Sequence, residues 1–227
     1  MTQTMSAAPA DPVLDPTLDE VRAMIAPRLA AHAAFDGWGE AALLPAAAEA
    51  GIDPDVARLA FAGPADMIDA WFASIDARMA EAWPAATLAA MKVRQRITTL
   101  VWARIELVAP EREALRRALA VLALPVNAPR AARLCWRAAD IMWRLAGDTA
   151  VDYNHYTKRL LLGGVYSATL LALLGDDDAD LATTRAFLDR RIDNVMQIEK
   201  AKAQLLGQGR PRPSLARFIG RLRYPPA

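Results

Sequence analysis

The chain has 227 residues, 54% of them hydrophobic, which is ample for one large core. Alanine, leucine and arginine dominate while strand-forming residues are sparse, so composition favours helix nearly everywhere and argues against a sheet. A net charge of +1 gives no long-range pull towards nucleic acid or acidic membranes, and the single Cys135 cannot form an internal disulfide.

Met1 to Ala10 has neither the basic start nor the apolar run of a signal peptide, so a cytoplasmic protein is expected. Residues 1–16, with Pro9, Pro12 and Pro16, read as a leader. Thr17 and Glu20 then have capping-box spacing ahead of Leu18, Val21, Ile25 and Leu29, with Pro27 expected to kink or split that first helix. Gly37 and Gly39 bracket Trp38. A short alanine-rich helix follows over residues 40–50, a third opens at Asp53-Pro54, and a fourth runs from Gly63-Pro64 to Trp83. Longer helices are expected over 87–109, 111–123, 128–146, 152–174 and 180–206, punctuated by Pro110, Pro125, Pro129, Gly147 and Gly175. The uncharged stretch Leu160–Gly175 falls short of the ~20 apolar residues that cross a bilayer and reads as a buried helix. A linker at 207–213 leads to a last short helix. The expected divisions are a helix-turn-helix-like module (17–83), a helical bundle (84–206), the linker, and a tail (214–227).

The order of the first four helices matches TetR-type regulators, in which the second and third form a helix-turn-helix. A DNA reader needs cations for phosphates and long polar side chains for base edges. From Asp36 to Ala70 the charged residues are Asp36, Glu40, Glu49, Asp53, Asp55, Arg58, Asp66 and Asp69, seven acids against one base. That surface repels a phosphate backbone, and no nucleic-acid partner is expected.

Catalytic chemistry finds little material. His32, His155 and Cys135 are too few for a zinc site, so neither metal nor cofactor is expected. Asp152 and His155 have half the spacing of a carboxylate-bridged di-iron site, but no second pair exists, and Asp152 reads as a helix N-cap. The run Asp176, Asp177, Asp178 and Asp180 lacks EF-hand spacing and suits the positive end of the next helix. There is no phosphate loop, dinucleotide fingerprint or nucleophile elbow. A non-enzyme is expected.

Three segments carry a resemblance: Asp140-Ile-Met-Trp-Arg-Leu-Ala-Gly-Asp148, Asp152-Tyr-Asn-His-Tyr-Thr-Lys-Arg159 and Leu181-Ala-Thr-Thr-Arg-Ala-Phe-Leu-Asp-Arg-Arg-Ile192. With Phe35-Asp-Gly-Trp38 and Gly63-Pro-Ala-Asp66, they make the chain similar to the Coq-nine family of ubiquinone-biosynthesis proteins over roughly residues 17–206. The resemblance implies an all-α, TetR-regulator-like bundle of about nine helices plus a C-terminal amphipathic helix. It further implies a homodimer, an internal pocket for isoprenoid or quinone lipid, and support of the di-iron demethoxyubiquinone hydroxylase by presenting its membrane-embedded substrate. On it, the hydroxylase-facing patch maps to Met142, Asp152, His155, Tyr156 and Arg159, with His155 standing where the family commonly has Trp. The alternative function is a small-molecule-responsive TetR-type regulator.

Helical phase and the family fold together suggest Val101, Ile105, Val165 and Leu171 as lipid contacts. Over 128–146, Leu134, Ala138, Ile141 and Leu145 form one core stripe, leaving Trp136 and Trp143 on another face that needs a second partner, so that the helix is either central and buried all round or carries an exposed docking patch. Gly163, Gly164 and Ala168 suit either close helix packing or a lipid chain.

In the tail, Leu215, Phe218, Ile219 and Leu222 lie at i, i+3, i+4 and i+7, with Arg217, Arg221 and Arg223 largely off that stripe. From Lys200 to the end there are seven cations and no acid. About 1 kcal/mol per arginine near an anionic leaflet, added to the apolar burial, suits reversible contact through Leu215, Arg217, Phe218, Ile219, Arg221 and Leu222. The expected location is the cytoplasm, peripheral at the inner face of a bacterial cytoplasmic membrane.

Overall fold

A computed structural model describes residues 16–149 and 153–207. The expected leader, linker and tail therefore lie, but for Pro16 and Gly207, outside the described residues, and the tail's membrane-contacting residues with them. The described residues form helices α1 (Leu18–Asp36), α2 (Glu40–Glu49), α3 (Pro54–Ala60), α4 (Pro64–Ala82), α5 (Ala85–Ala89), α6 (Val93–Val108), α7 (Arg112–Leu122), α8 (Ala128–Leu145), α9 (Tyr153–Leu174) and α10 (Ala182–Gly207). No strand occurs among them.

Local signals explain most boundaries. Thr17 and Glu20 close the expected capping box, with the Thr17 N–H donating to the Glu20 carboxylate at 2.8 Å. α1 runs unbroken through Pro27 instead of splitting, because packing of Val21, Ile25, Leu29 and Ala33 into the core holds both halves. Asp53 caps α3 by accepting from the Asp55 N–H at 2.8 Å. The helix expected over 87–109 is two. Arg96 bridges the break, donating to the carbonyls of Met91 (2.8 Å), Ala89 (2.9 Å) and Ala146 (2.8 Å). These bonds occupy carbonyls of the kind left orphaned at helix C-termini.

A single hydrophobic core runs from Val21 to Ile192, so the N-terminal module and the bundle share one interior. α1 packs on α2, α4 and α7, α4 on α6 and α8, and α9 lies between α8 and α10. Two of the resemblance motifs prove architectural. Gly37, at φ +77, turns the chain so that Trp38 reaches inward, packs tilted against Trp71 with ring centroids 5.3 Å apart and donates to the Ala114 carbonyl at 3.0 Å. Asp66 accepts from the Ala62 N–H at 3.0 Å and pairs with Arg130, tying the start of α4 to α8.

α9 starts within a residue of the expected 152, and its stretch His155–Leu174 is long and apolar enough to cross a membrane by length and composition, which the shorter span Leu160–Gly175 is not. It is also not buried all round: Leu160 and Leu171 are 68% and 63% exposed on one face, while Leu162, Val165, Tyr166 and Leu173 face inward. Gly163 resolves to close packing, since a Cβ there would stand 2.7 Å from the Cys135 Sγ of α8; Gly164 faces open space.

The acidic run after α9 has a structural role. Asp176, buried, accepts from the Thr184 N–H at 2.7 Å and from its hydroxyl at 2.6 Å, which serves the free donors of α10. These bonds hold the Asp176 carboxyl below its usual range. The turn places buried Leu181 at φ +54, the one non-glycine with positive φ among the described residues.

Candidate functional site

The site forms where α8, α9 and α10 meet. At its base lies an ion-pair network built from the Asp140–Asp148 and Asp152–Arg159 segments. Arg159, 2% exposed, donates to Asp140 at 2.6 Å, to Asp148 at 3.1 Å and to the His155 carbonyl at 3.1 Å. Asp140 also holds Arg144 at 2.8 Å, and Asp148 holds Lys158 at 2.7 Å. Burial pushes the Asp148 carboxyl up, but the hydrogen bonds and charges of Lys158 and Arg159 outweigh it and leave the group below its ordinary value.

Above the network, Trp136 of α8 meets two α9 rings. Its centroid lies 6.1 Å from His155 and 5.9 Å from Tyr156, and the latter two are 5.1 Å apart and edge-on. Tyr156 is 58% exposed and continues the Leu160 and Leu171 face.

Beneath α10 lies a cavity of about 260 Å³ among α6, α8, α9 and α10. Its walls include Ile97, Trp143, Leu162, Val165, Ile192 and Val195, with Lys158 and Arg94 also lining it. Trp143 is held there by donating to the Lys158 carbonyl at 3.0 Å, while the Lys158 ammonium sits 5.2 Å from its ring centroid. The volume falls just under the ~300 Å³ at which ligand pockets usually begin, so it suits one end of a long apolar molecule.

The expected site residues divide. His155 and Tyr156 come together with Trp136. Met142 is fully buried on the Leu134–Ala138–Met142 stripe and faces the core instead of a partner; Ile141 and Leu145, expected on that stripe, are only half-buried. Arg159 is sealed inside the network and positions α9 without presenting its charge outward. Asp152 lies outside the described residues. Of the lipid contacts, Val165 lines the cavity, Val101 and Ile105 are fully buried in the core away from it, and Leu171 points outward. The second partner expected for the face carrying Trp136 and Trp143 is α9, met by Trp136 through His155 and Tyr156 and by Trp143 through Lys158. Ile97, Leu162 and Ile192 were missed. Their signal was an apolar position in phase with a neighbour on each helix, which a single helix does not reveal.

Residues 128–199, which carry most of the cavity wall, match the COQ9 family model. The rat ubiquinone biosynthesis protein COQ9, mitochondrial, is 36% identical over 118 residues, covering 52% of this chain and 38% of its own length. The human protein of the same name is 33% identical over 52% of this chain and 37% of its own.

This part of the chain is similar to COQ9.

The Drosophila melanogaster COQ9 extends the likeness at 28% identity to 89% of this chain and 63% of that protein. The matched stretches thus span under two fifths of the rat and human proteins. A TetR transcriptional regulator from Nitrosomonas europaea superposes with a TM-score of 0.60, covering 79% of this chain and 98% of its own at 22% identity. That likeness shows a TetR-like fold. The relatives are named as mitochondrial, which overturns the expected placement at a bacterial cytoplasmic membrane.

Proposed function

We propose that this chain is an accessory factor of ubiquinone biosynthesis that takes up an isoprenoid tail beneath α10 and presents the quinone intermediate to the di-iron hydroxylase. The supporting observation is a coincidence of position. Most of the apolar cavity's wall, including Trp143, Leu162, Val165 and Ile192, falls within the segment shared with proteins named for ubiquinone biosynthesis. The Trp136–His155–Tyr156 cluster, close by on the same two helices, is the proposed hydroxylase contact. Clustered aromatic side chains such as Trp and Tyr are common interface anchors. Leu160 and Leu171, exposed together along α9, are where a second copy of the chain is proposed to seat.

Filling the cavity tests the central claim. The Val165→Trp variant is expected to retain its helical spectrum but lose at least about tenfold of the isoprenoid lipid that co-purifies with the wild type, measured by mass spectrometry, because the ring takes the ligand's space. Equal lipid in both proteins sinks the reading. The cationic segment 214–227 is the proposed membrane contact. Its deletion should reduce flotation with anionic liposomes severalfold at low salt, and unchanged flotation removes that part of the proposal.

The regulator alternative gains nothing from the structure. Arg58, the lone base from Asp36 to Ala70, is bonded to Glu40 and Asp55, both at 2.7 Å. Little cationic surface is left there to meet phosphate.

A further inference from the structure

Between Glu81 and Lys92 the chain carries no charge. Such a run normally goes into a core, yet here most of it stays outside. Pro84 to Thr87, Ala89 and Ala90 are exposed, Trp83 and Met91 are half-buried, and Leu88 is fully buried. Leu88 pins α5 to the core, and the Arg96 guanidinium fixes its far end by donating to the carbonyls of Ala89 and Met91 at 2.9 and 2.8 Å. The corner between α4 and α6 is therefore an apolar surface of fixed shape with a cationic border. No acid occurs between Glu81 and Glu106, and Lys92, Arg94 and Arg96 follow the run directly. Lys92 is exposed and has no ion pair among the described residues, while nearby Asp193 is taken by Arg94 and Asp148 by Lys158 at 2.7 Å. Glu81 is left as the acid at the edge.

We propose that the Trp83–Val93 corner rests on an anionic lipid bilayer, with Trp83, Met91, Val93 and the alanine face of α5 at the acyl boundary and Lys92 among the headgroups. Two placements tie it to the cavity beneath α10. Val93 and Arg94, the first residues of α6, also wall that cavity, and Val93 is 52% exposed, so the corner is the cavity's lip. α10 runs antiparallel to α6, with Arg185 over the Trp102 ring and Asp193 on Arg94, so its C-terminal end points to the same side. The cationic segment 214–227 follows in sequence from that end. The chemistry also fits a bilayer: tryptophan favours the membrane–water boundary, and apolar area beside unpaired cations is what an anionic leaflet attracts. Alanine anchors a protein partner poorly, since interface hot spots are mainly Trp, Tyr and Arg. The inference rests on the lipid-presenting reading and deepens it by naming the surface through which the cavity meets the membrane.

The test uses the full chain with vesicles of phosphatidylcholine, alone or mixed with phosphatidylglycerol. Ala86→Glu combined with Ala90→Glu puts acids on the exposed face of α5. Flotation of that variant with the mixed vesicles is expected to fall at least about tenfold while its urea midpoint stays level. Lys92→Gln should lower flotation with the mixed vesicles severalfold and leave the neutral ones unaffected. Contact is read directly from an environment-sensitive dye on Ala86→Cys in a Cys135→Ser background. Its emission should shift to the blue with the mixed vesicles, whereas the same dye on Leu59→Cys, exposed on α3, should not move. Unchanged flotation of the double variant, or a dye at position 86 that stays in water, overturns the proposal. So does a blue shift there that needs only more protein, or a protein partner, in place of lipid. Co-purified lipid reports on the cavity and deletion of 214–227 on the tail, so failure of the corner is distinguishable from failure of either.

Discussion

Asp76→Ala is expected to destabilise the protein by about 3–5 kcal/mol, the range seen when one partner of a buried ion pair is removed. Asp76 is 6% exposed and is the carboxylate that compensates Arg104 at 1% exposure. Arg137 retains Asp69, but Arg104 would keep a charge in the core with no anion beside it. For a chain of this length the loss corresponds to a fall in Tm of roughly 10 °C. Urea unfolding at pH 7 measures it directly, and a loss under about 1 kcal/mol would show that water or another anion compensates Arg104.

The second large effect is expected at Arg159→Met, about 2–3 kcal/mol from losing charged hydrogen bonds in a buried setting. It should be smaller than the first for a visible reason: Asp140 keeps Arg144 and Asp148 keeps Lys158. A pH dependence accompanies it. The carboxyls of Asp148, Asp66 and Asp176 are all held below their ordinary value of 3.8 in the folded protein. Their stabilisation is therefore fully present above about pH 4–5 and is lost as pH falls through the depressed folded values. In Arg159→Met the Asp148 carboxyl has one cation fewer, so its share of the acid loss should shrink and stability should fall less steeply below pH 4. Urea midpoints of both proteins from pH 7 to pH 2 check this. Parallel curves would place the acid sensitivity at Asp66 and Asp176 instead.

Much of the fold was legible because its signals are local. The Thr17–Glu20 box, Asp53-Pro54 and Gly63-Pro64 each act within one helical turn, and each begins a helix as read. The split between α5 and α6 was not legible, since the Arg96 bonds that bridge it reach across to Ala146, fifty residues away. Within the site, Tyr156 and His155 were found through the family motif, whereas Met142 was misplaced because a motif position carries no statement of which way it faces. Its spacing of eight from Leu134 and four from Ala138 was the available correction. The buried Asp76–Arg104 pair had a signal too. Arg104 shares the phase of Leu100, Val101 and Val108, and Asp76 follows Phe72 and Ile75, so each is a charge on an apolar stripe. A charge in that position calls for a partner, and Asp76 and Arg104 are 28 residues apart, which no local pattern connects.

The contact between Gly163 and Cys135 carries a steric corollary. The cysteine sulfur occupies the volume that any other residue at 163 would claim for its first carbon. Positions 135 and 163 therefore behave as one shared space divided between two helices, in which enlargement on one side calls for a smaller residue opposite or a wider spacing of α8 and α9. A methyl group gained at that seam would press on Cys135 and move α9, and with it the Leu162 and Val165 wall of the chamber beneath α10.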